Sequence, residues 1–134
     1  MLQLECLSAY LEAGDHPEYP SGSAYFCAAH TQSVRRFLGT DELNWSVPRP
    51  AGSSQIEPGI TPKGDTQLTF ATWTDFNEDC GESRLWAGVH FRSAIDVGKT
   101  TGNKFGDLAY EYLQTLINGT APERKPSVGA LREE

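Results

Sequence analysis

The sequence predicts an all-α fold: a helical bundle interrupted by one long irregular loop. Three observations carry that expectation. Apolar residues recur at spacings of three and four near both ends, first as Leu4, Leu7 and Leu11, later as Phe105, Leu108, Ala109, Tyr112, Leu113 and Leu116. Proline-rich approaches lead into residues suited to helix caps. Ala94, Gly98, Gly102 and Gly106 place a small residue at every fourth position, which lets another helix approach closely.

The elements follow in order. Residues 2–13 read as an amphipathic helix closed by Gly14. The turn-rich stretch 14–22 contains Pro17 and Pro20, which bias their preceding residues to extended backbone. Ser21 is then the expected N-cap of a helix running to Leu38 and stopped by Gly39. Residues 40–71 alternate prolines with glycines, so a long loop without regular structure is expected there. Asp75 and Glu78 suggest a capping box opening a short helix near Thr74, ended by Cys80 and Gly81. A long helix is expected over residues 93–118. The polar residues 120–134, with Pro122 and Pro126, read as a disordered tail. Four helices of this length bury a small core, and the apolar faces of the first and last call for more partners than the chain supplies.

Composition bounds the function. A chain of 134 residues makes one modest domain. Its formal net charge of -7 argues against nucleic acid as a partner, because a phosphate backbone selects basic surfaces. No stretch reaches the ~20 apolar residues of a membrane span. The start lacks the basic region of a signal peptide and has Glu5 within its apolar run. Sequons at Asn44 and Asn118 would accept glycans in a secreted protein, but such tripeptides are common, so localisation stays open. Cys6, Cys27 and Cys80 show no metal-binding spacing.

Three groups of residues carry chemistry. Ser21 and Gly22 open a helix, where unpaired N–H groups and the helix dipole favour an anion; an ordinary cap uses the same residues. Arg84 offers a planar fork of donors to an oxyanion, and His90 a ring nitrogen that could attack phosphorus or ligate a metal oxyanion. Each alone also suits a surface arginine and a hydrogen-bonded histidine. Asp96 is the carboxylate expected to orient His90, or else an exposed helix residue.

"YPSGSA" and "SRLWAGVHFRSAIDVG" resemble, in order and internal spacing, the last two signature motifs of the vanadium-dependent haloperoxidase and type-2 phosphatidic acid phosphatase superfamily. "AGVHFRSAIDVG" is closest to the haloperoxidase branch. The resemblance implies that residues 1–119 form a haloperoxidase-like C-terminal helical domain, half of a bundle that binds vanadate or phosphate. It assigns Ser21, Gly22 and Arg84 to the oxyanion, and His90 as vanadate ligand or phosphorylated nucleophile. It implies hydrogen peroxide with a halide or small organic substrate, and vanadate as cofactor. It also brings Cys27 and Cys80 together, as a disulfide or as two buried thiols.

Three departures accompany it. Ser23 occupies the position of the family's histidine after Pro-Ser-Gly. Ala94 replaces a carboxylate often found four residues beyond the axial histidine, leaving Asp96 to substitute. The family's Lys…Arg-Pro motif is absent, since Arg49-Pro50 is out of order, so a missing N-terminal half or a second chain would have to supply it. His30 is too far along its helix to replace the histidine at 23, and His16 precedes the turn, where it could fold back or else stand as an exposed turn residue. The three Trp residues read as packing groups, with Trp86 the one able to line the anion pocket. The expected function is therefore haloperoxidase-like, with a histidine-dependent acid phosphatase or a non-catalytic anion-binding half-domain as alternatives.

Overall fold

A computed structural model describes residues 15–122, and the expected helix at 2–13 and most of the tail lie outside them. The described chain runs α1 (Gly22–Leu38), β1 (Glu42–Arg49), β2 (Thr66–Thr72), α2 (Trp73–Trp86) and α3 (Arg92–Ile117).

The first helix forms as its local signals predict. Ser21 Oγ accepts a hydrogen bond from the Ala24 amide, and Gly39 closes the helix in the left-handed region at φ 70°. Arg35 and Arg36 occupy the last turn, where cations complement the exposed carbonyls. The long C-terminal helix starts one residue earlier than expected.

The helices α1 and α3 pack closely and run in the same direction. Their contacts advance together, from Ser21 beside Ala94 to Gln32 beside Gly106 and Asp107. Ala24, Ala28 and Thr31 are buried on one side, and Ala94, Gly98, Gly102 and Gly106 on the other. A Cβ added at Gly98 would meet the Ser21 carbonyl oxygen at 2.7 Å; at Gly106 it would meet the Ala29 carbonyl oxygen at 2.7 Å. The four-residue stripe thus lets the backbone of α3 lie against that of α1. Arg36 extends the contact through an ion pair to Asp107.

Residues 40–71 correct the all-α expectation. They hold an antiparallel hairpin in which Trp45 pairs with Phe70 and Arg49 with Thr66. The β-forming residues "TQLTFAT" outweigh the nearby breakers. Pro48 is tolerated because each strand of a two-stranded sheet has an open edge. The remaining prolines and glycines lie mostly in the connection between the strands. An aromatic cluster docks the hairpin on α2: the Phe70 ring lies 5.7 Å from Trp45 and 5.3 Å from Phe76.

The second helix also differs from expectation. Its capping box is Thr72 with Asp75, not Asp75 with Glu78. It continues past Gly81 because that residue is buried against α3, where a Cβ would meet Ile95 Cγ2 at 2.9 Å. Arg92 donates two hydrogen bonds to Glu82, which hold that carboxyl below its ordinary range and tie α3 to α2 at the surface. Among the described residues, no helix is long and apolar enough to cross a membrane.

Cys27 of α1 and Cys80 of α2 form a disulfide across 53 residues of sequence. Closing a loop of that length restricts the unfolded chain and stabilises the fold by about 4 kcal/mol. The double substitution Cys27→Ser, Cys80→Ser is expected to lower stability by that amount in urea denaturation. In the unfolded, unreduced protein these two thiols are expected not to titrate; three titrating thiols per chain would contradict the bridge.

The apolar side chains left outside this packing are many. Phe26 is 74% exposed and Leu108 58% exposed, with Phe105, Tyr112 and Leu116 also open on α3. The small stripe of α3 is filled by α1, whereas its large apolar stripe has no cover among the described residues.

Candidate functional site

The parallel packing of α1 and α3 places both helix starts at one end of the domain. The Ser21 N–H donates to the Ala94 carbonyl at 3.0 Å, tying the cap of α1 to the first turn of α3. The partial positive charges of two helix N-termini therefore face the same region. A cavity of about 380 Å³ opens there, lined by His16, Tyr19, Gly22, Ser23, Arg84 and His90.

His90 precedes α3, and its side chain is only 2% exposed. Its Nδ1 lies 2.6 Å from the Glu18 carbonyl oxygen. A carbonyl only accepts, so Nδ1 carries a proton, and in the neutral ring Nε2 is the nitrogen with the lone pair. The Glu18 carboxylate serves a different donor, accepting from the Phe91 amide at 2.8 Å. Phe91 is the N-cap of α3 and has no side-chain cap of its own, so Glu18 supplies the acceptor from outside the helix. One residue thereby fixes both the histidine ring and the helix behind it.

Arg84 reaches the cavity from the last turn of α2. Its Nε is buried and has no hydrogen-bond partner among the described residues. A buried donor without a partner is costly, and the guanidinium of this cavity-lining residue is a charged fork of donors that suits an anion. Gly22 and Ser23 stand in the first turn of α1, where backbone N–H groups have no partner within the helix.

The sequence-predicted residues divide accordingly. Gly22, Arg84 and His90 are brought to one cavity. Ser21 is wholly buried behind it, its oxygen accepting from Ala24 while its hydroxyl proton stays uncommitted. Asp96 is not brought to His90: it is exposed, with no ion pair between the two. The reason is helical geometry. Ala94 and Gly98 are buried against α1, and Asp96 lies two residues from each, about 200° round the helix. The atom that orients His90 is instead the Glu18 carbonyl oxygen.

His16 combines the two placements that the sequence leaves open. It is exposed, yet its ring centroid lies 5.1 Å from that of His90 and it lines the same cavity. His30 packs against Trp73. Trp86 is 82% exposed and borders a different groove, beside Leu68 and Phe76. Glu18 escaped sequence reasoning, and His16 was left open, because their placement depends on residues 16–20 folding over the start of α3. The one available signal was their place in the turn immediately before Pro-Ser-Gly.

Fold and cavity together define a helical-bundle domain with a histidine- and arginine-lined cavity at its helix N-termini. The chain belongs to the family of the VCPO second helical-bundle domain, where VCPO denotes vanadium chloroperoxidase, and that family's model matches residues 3–119. The solved structure of a holo-type bacterial vanadium-dependent chloroperoxidase is similar, with 50% sequence identity and a TM-score of 0.80. The apo-type structure gives the same values. In both comparisons 84% of this chain is covered but only 24% of the larger one, so the chain spans about a quarter of that relative's length. None of the curated proteins matches.

Proposed function

We propose that this chain holds the oxyanion of a vanadium-dependent haloperoxidase-like protein. The observation that carries this reading is the one cavity, at the starts of α1 and α3, that Gly22, Arg84 and His90 line together. The donor set suits a tetrahedral oxyanion. Gly22 offers a backbone N–H and Arg84 a charged fork of donors, while a neutral His90 ring offers a lone pair able to ligate a metal oxyanion. Vanadate is the ligand proposed, held through His90, with phosphate as an alternative occupant of the same donors.

Bound vanadate would supply the activation of hydrogen peroxide for halide oxidation. The protein's part is to bind and orient: Arg84 neutralises charge, the α1 amides fix the oxygens, and the Glu18 carbonyl holds the His90 ring in one tautomer. Halide oxidation is proposed for the whole protein of which this domain is part, with peroxide, a halide and a small organic acceptor as substrates. The Ser23 hydroxyl cannot protonate a leaving group near neutral pH, which disfavours the phosphatase reading.

The test measures orthovanadate binding by ⁵¹V NMR, then peroxide-dependent halide oxidation and aryl-phosphate hydrolysis with and without vanadate. Saturable vanadate binding without hydrolysis is the expected result, and vanadate-dependent halide oxidation would extend it to activity. Aryl-phosphate hydrolysis inhibited by vanadate would replace this reading with the phosphatase one. No binding and no turnover would overturn both.

A further inference from the structure

We infer that the Cys27–Cys80 bridge is a redox control on the anion cavity: closed, it holds the Arg84 wall against the Ser23 wall, and opened by a dithiol it releases Arg84 and weakens the hold on an oxyanion. The inference rests on the oxyanion reading above and adds regulation to it. Ser23 and Arg84 line the cavity from two different helices. Cys27 stands one turn beyond Ser23 on α1, and Cys80 one turn before Arg84 on α2. Cys80 Sγ lies 3.8 Å from the Ser23 carbonyl oxygen, so the bridge meets α1 at the turn that borders the cavity.

Little else fastens that end of α2 to α1. Among the described residues no ion pair and, beyond that sulfur contact, no side-chain hydrogen bond joins the two helices. The ring contact of Trp73 with His30 is at the start of α2, the end remote from Arg84. The other walls have separate anchors. The small-residue stripe keeps α3 on α1, so Gly22, Ser23 and His90 stay together when the bridge opens. The second helix keeps its surface ion pairs to α3, Glu82 with Arg92 and Glu78 with Lys99. Opening therefore loosens Arg84 relative to the other donors without undocking its helix.

Both cysteines are only half-buried, and Cys80 borders the groove beside Leu68, Phe76 and Trp86, so a small thiol can reach it. One thiolate of a dithiol attacks Cys80 Sγ; the S–S bond breaks, and Cys27 leaves as a thiolate that takes up a proton. The second thiol of the reductant then displaces Cys80. Two cysteine thiols result, and the reductant ends as a cyclic disulfide. Hydrogen peroxide, the oxidant of the proposed reaction, reverses the change. It converts one thiol to a sulfenic acid with release of water, and the other thiol displaces a second water as the bridge re-forms. The cavity is thereby tightest under the oxidising conditions that its proposed chemistry requires.

Calorimetric titration of the full chain with inorganic phosphate, before and after treatment with dithiothreitol, tests this. Phosphate is the probe because dithiols reduce vanadate. Reduction is expected to weaken phosphate about tenfold while the helical circular-dichroism signal is kept. Peroxide, removed before titration, is expected to restore the affinity as titrating thiols fall from three per chain to one. The double variant Cys27→Ser, Cys80→Ser is expected to bind as the reduced protein does, whatever the treatment. Arg84→Ala is expected to erase the difference between the two states, which a general loosening of the fold would not do. Equal affinity before and after reduction would overturn the inference, as would a difference that persists in Arg84→Ala or in the double variant. Loss of the helical signal on reduction would also overturn it, leaving the bridge a stabiliser alone. Failure of the oxidised wild type to bind either phosphate or vanadate would instead overturn the cavity reading itself, and the inference with it.

Discussion

Gly102→Leu is expected to separate α1 from α3 and unfold the described domain, at a cost on the order of 4 kcal/mol or more. The reason lies in the backbone. Even a Cβ at position 102 would sit 2.3 Å from the Tyr25 carbonyl oxygen and 2.8 Å from Ala28 Cβ. Neither obstacle can rotate away, since one is main chain and the other has no side-chain torsion. Relief requires the helices to move apart along their whole contact, which would also strip Gly98 and Gly106 of their partners. Alanine in place of glycine raises intrinsic helix stability by about 1 kcal/mol, so at an open site the same change would help. Gly102→Ala is therefore a demanding comparison: a net loss of about 2 kcal/mol is expected despite the propensity gain. Gly64→Ala is the control, because nothing lies within 4 Å of its Cβ. Thermal melting followed by circular dichroism measures all three. A Gly102→Leu protein that melts with wild type would refute the close approach of the two helices.

This same contact was legible in the sequence as a stripe of small residues, because a four-residue spacing is a local property of one helix. The limits of α1 were legible for the same reason: Ser21 and Gly39 act on their own turn. What escaped was non-local. The hairpin depends on pairing across the connection between β1 and β2, and Gly81 keeps its helix only because α3 lies against it. The site divides along the same line. Gly22, Arg84 and His90 were marked by motif spacing, and all three line the cavity. Glu18 was not, and His16 was left open, since nothing in a turn's sequence says which element it folds over. Asp96 was misplaced for a simpler reason. Sequence nearness to His90 was weighed above the angle round α3, which turns that carboxylate to solvent.

The coverage of only 24% of the relative bears on the uncovered apolar stripe of α3. A helix whose small face is filled and whose large face is open is suited to a bundle with further helices. The orientation of the cavity follows from the filled face alone. Two parallel helices with their starts together make a positive end without needing many basic residues, which reconciles the proposed anion cavity with a chain of net charge -7. The acidic residues lie along the surfaces, and those named at the cavity end are already engaged: Glu18 with Phe91, Glu82 with Arg92.

His90→Ala is expected to weaken orthovanadate binding more than about a hundredfold, and Asp96→Asn to leave it within about twofold of wild type. The contrast follows from geometry. The His90 ring is almost wholly buried, is locked by the Glu18 carbonyl, and leaves Nε2 as its one uncommitted ring nitrogen. Losing it removes the proposed bond to vanadium and strands the Glu18 carbonyl without its donor. Asp96 makes no contact with that ring, so its charge reaches the cavity only through solvent, where screening weakens it. ⁵¹V NMR reads the affinity directly, independently of turnover. His90→Gln separates the two losses at His90, because its amide can still donate to Glu18 while lacking an imidazole nitrogen. It is expected to melt near wild type yet bind vanadate as poorly as His90→Ala. Wild-type affinity in His90→Ala would remove His90 from the site. An Asp96→Asn loss as large as that of His90→Ala would reinstate Asp96 as the orienting group and displace the Glu18 carbonyl from that role.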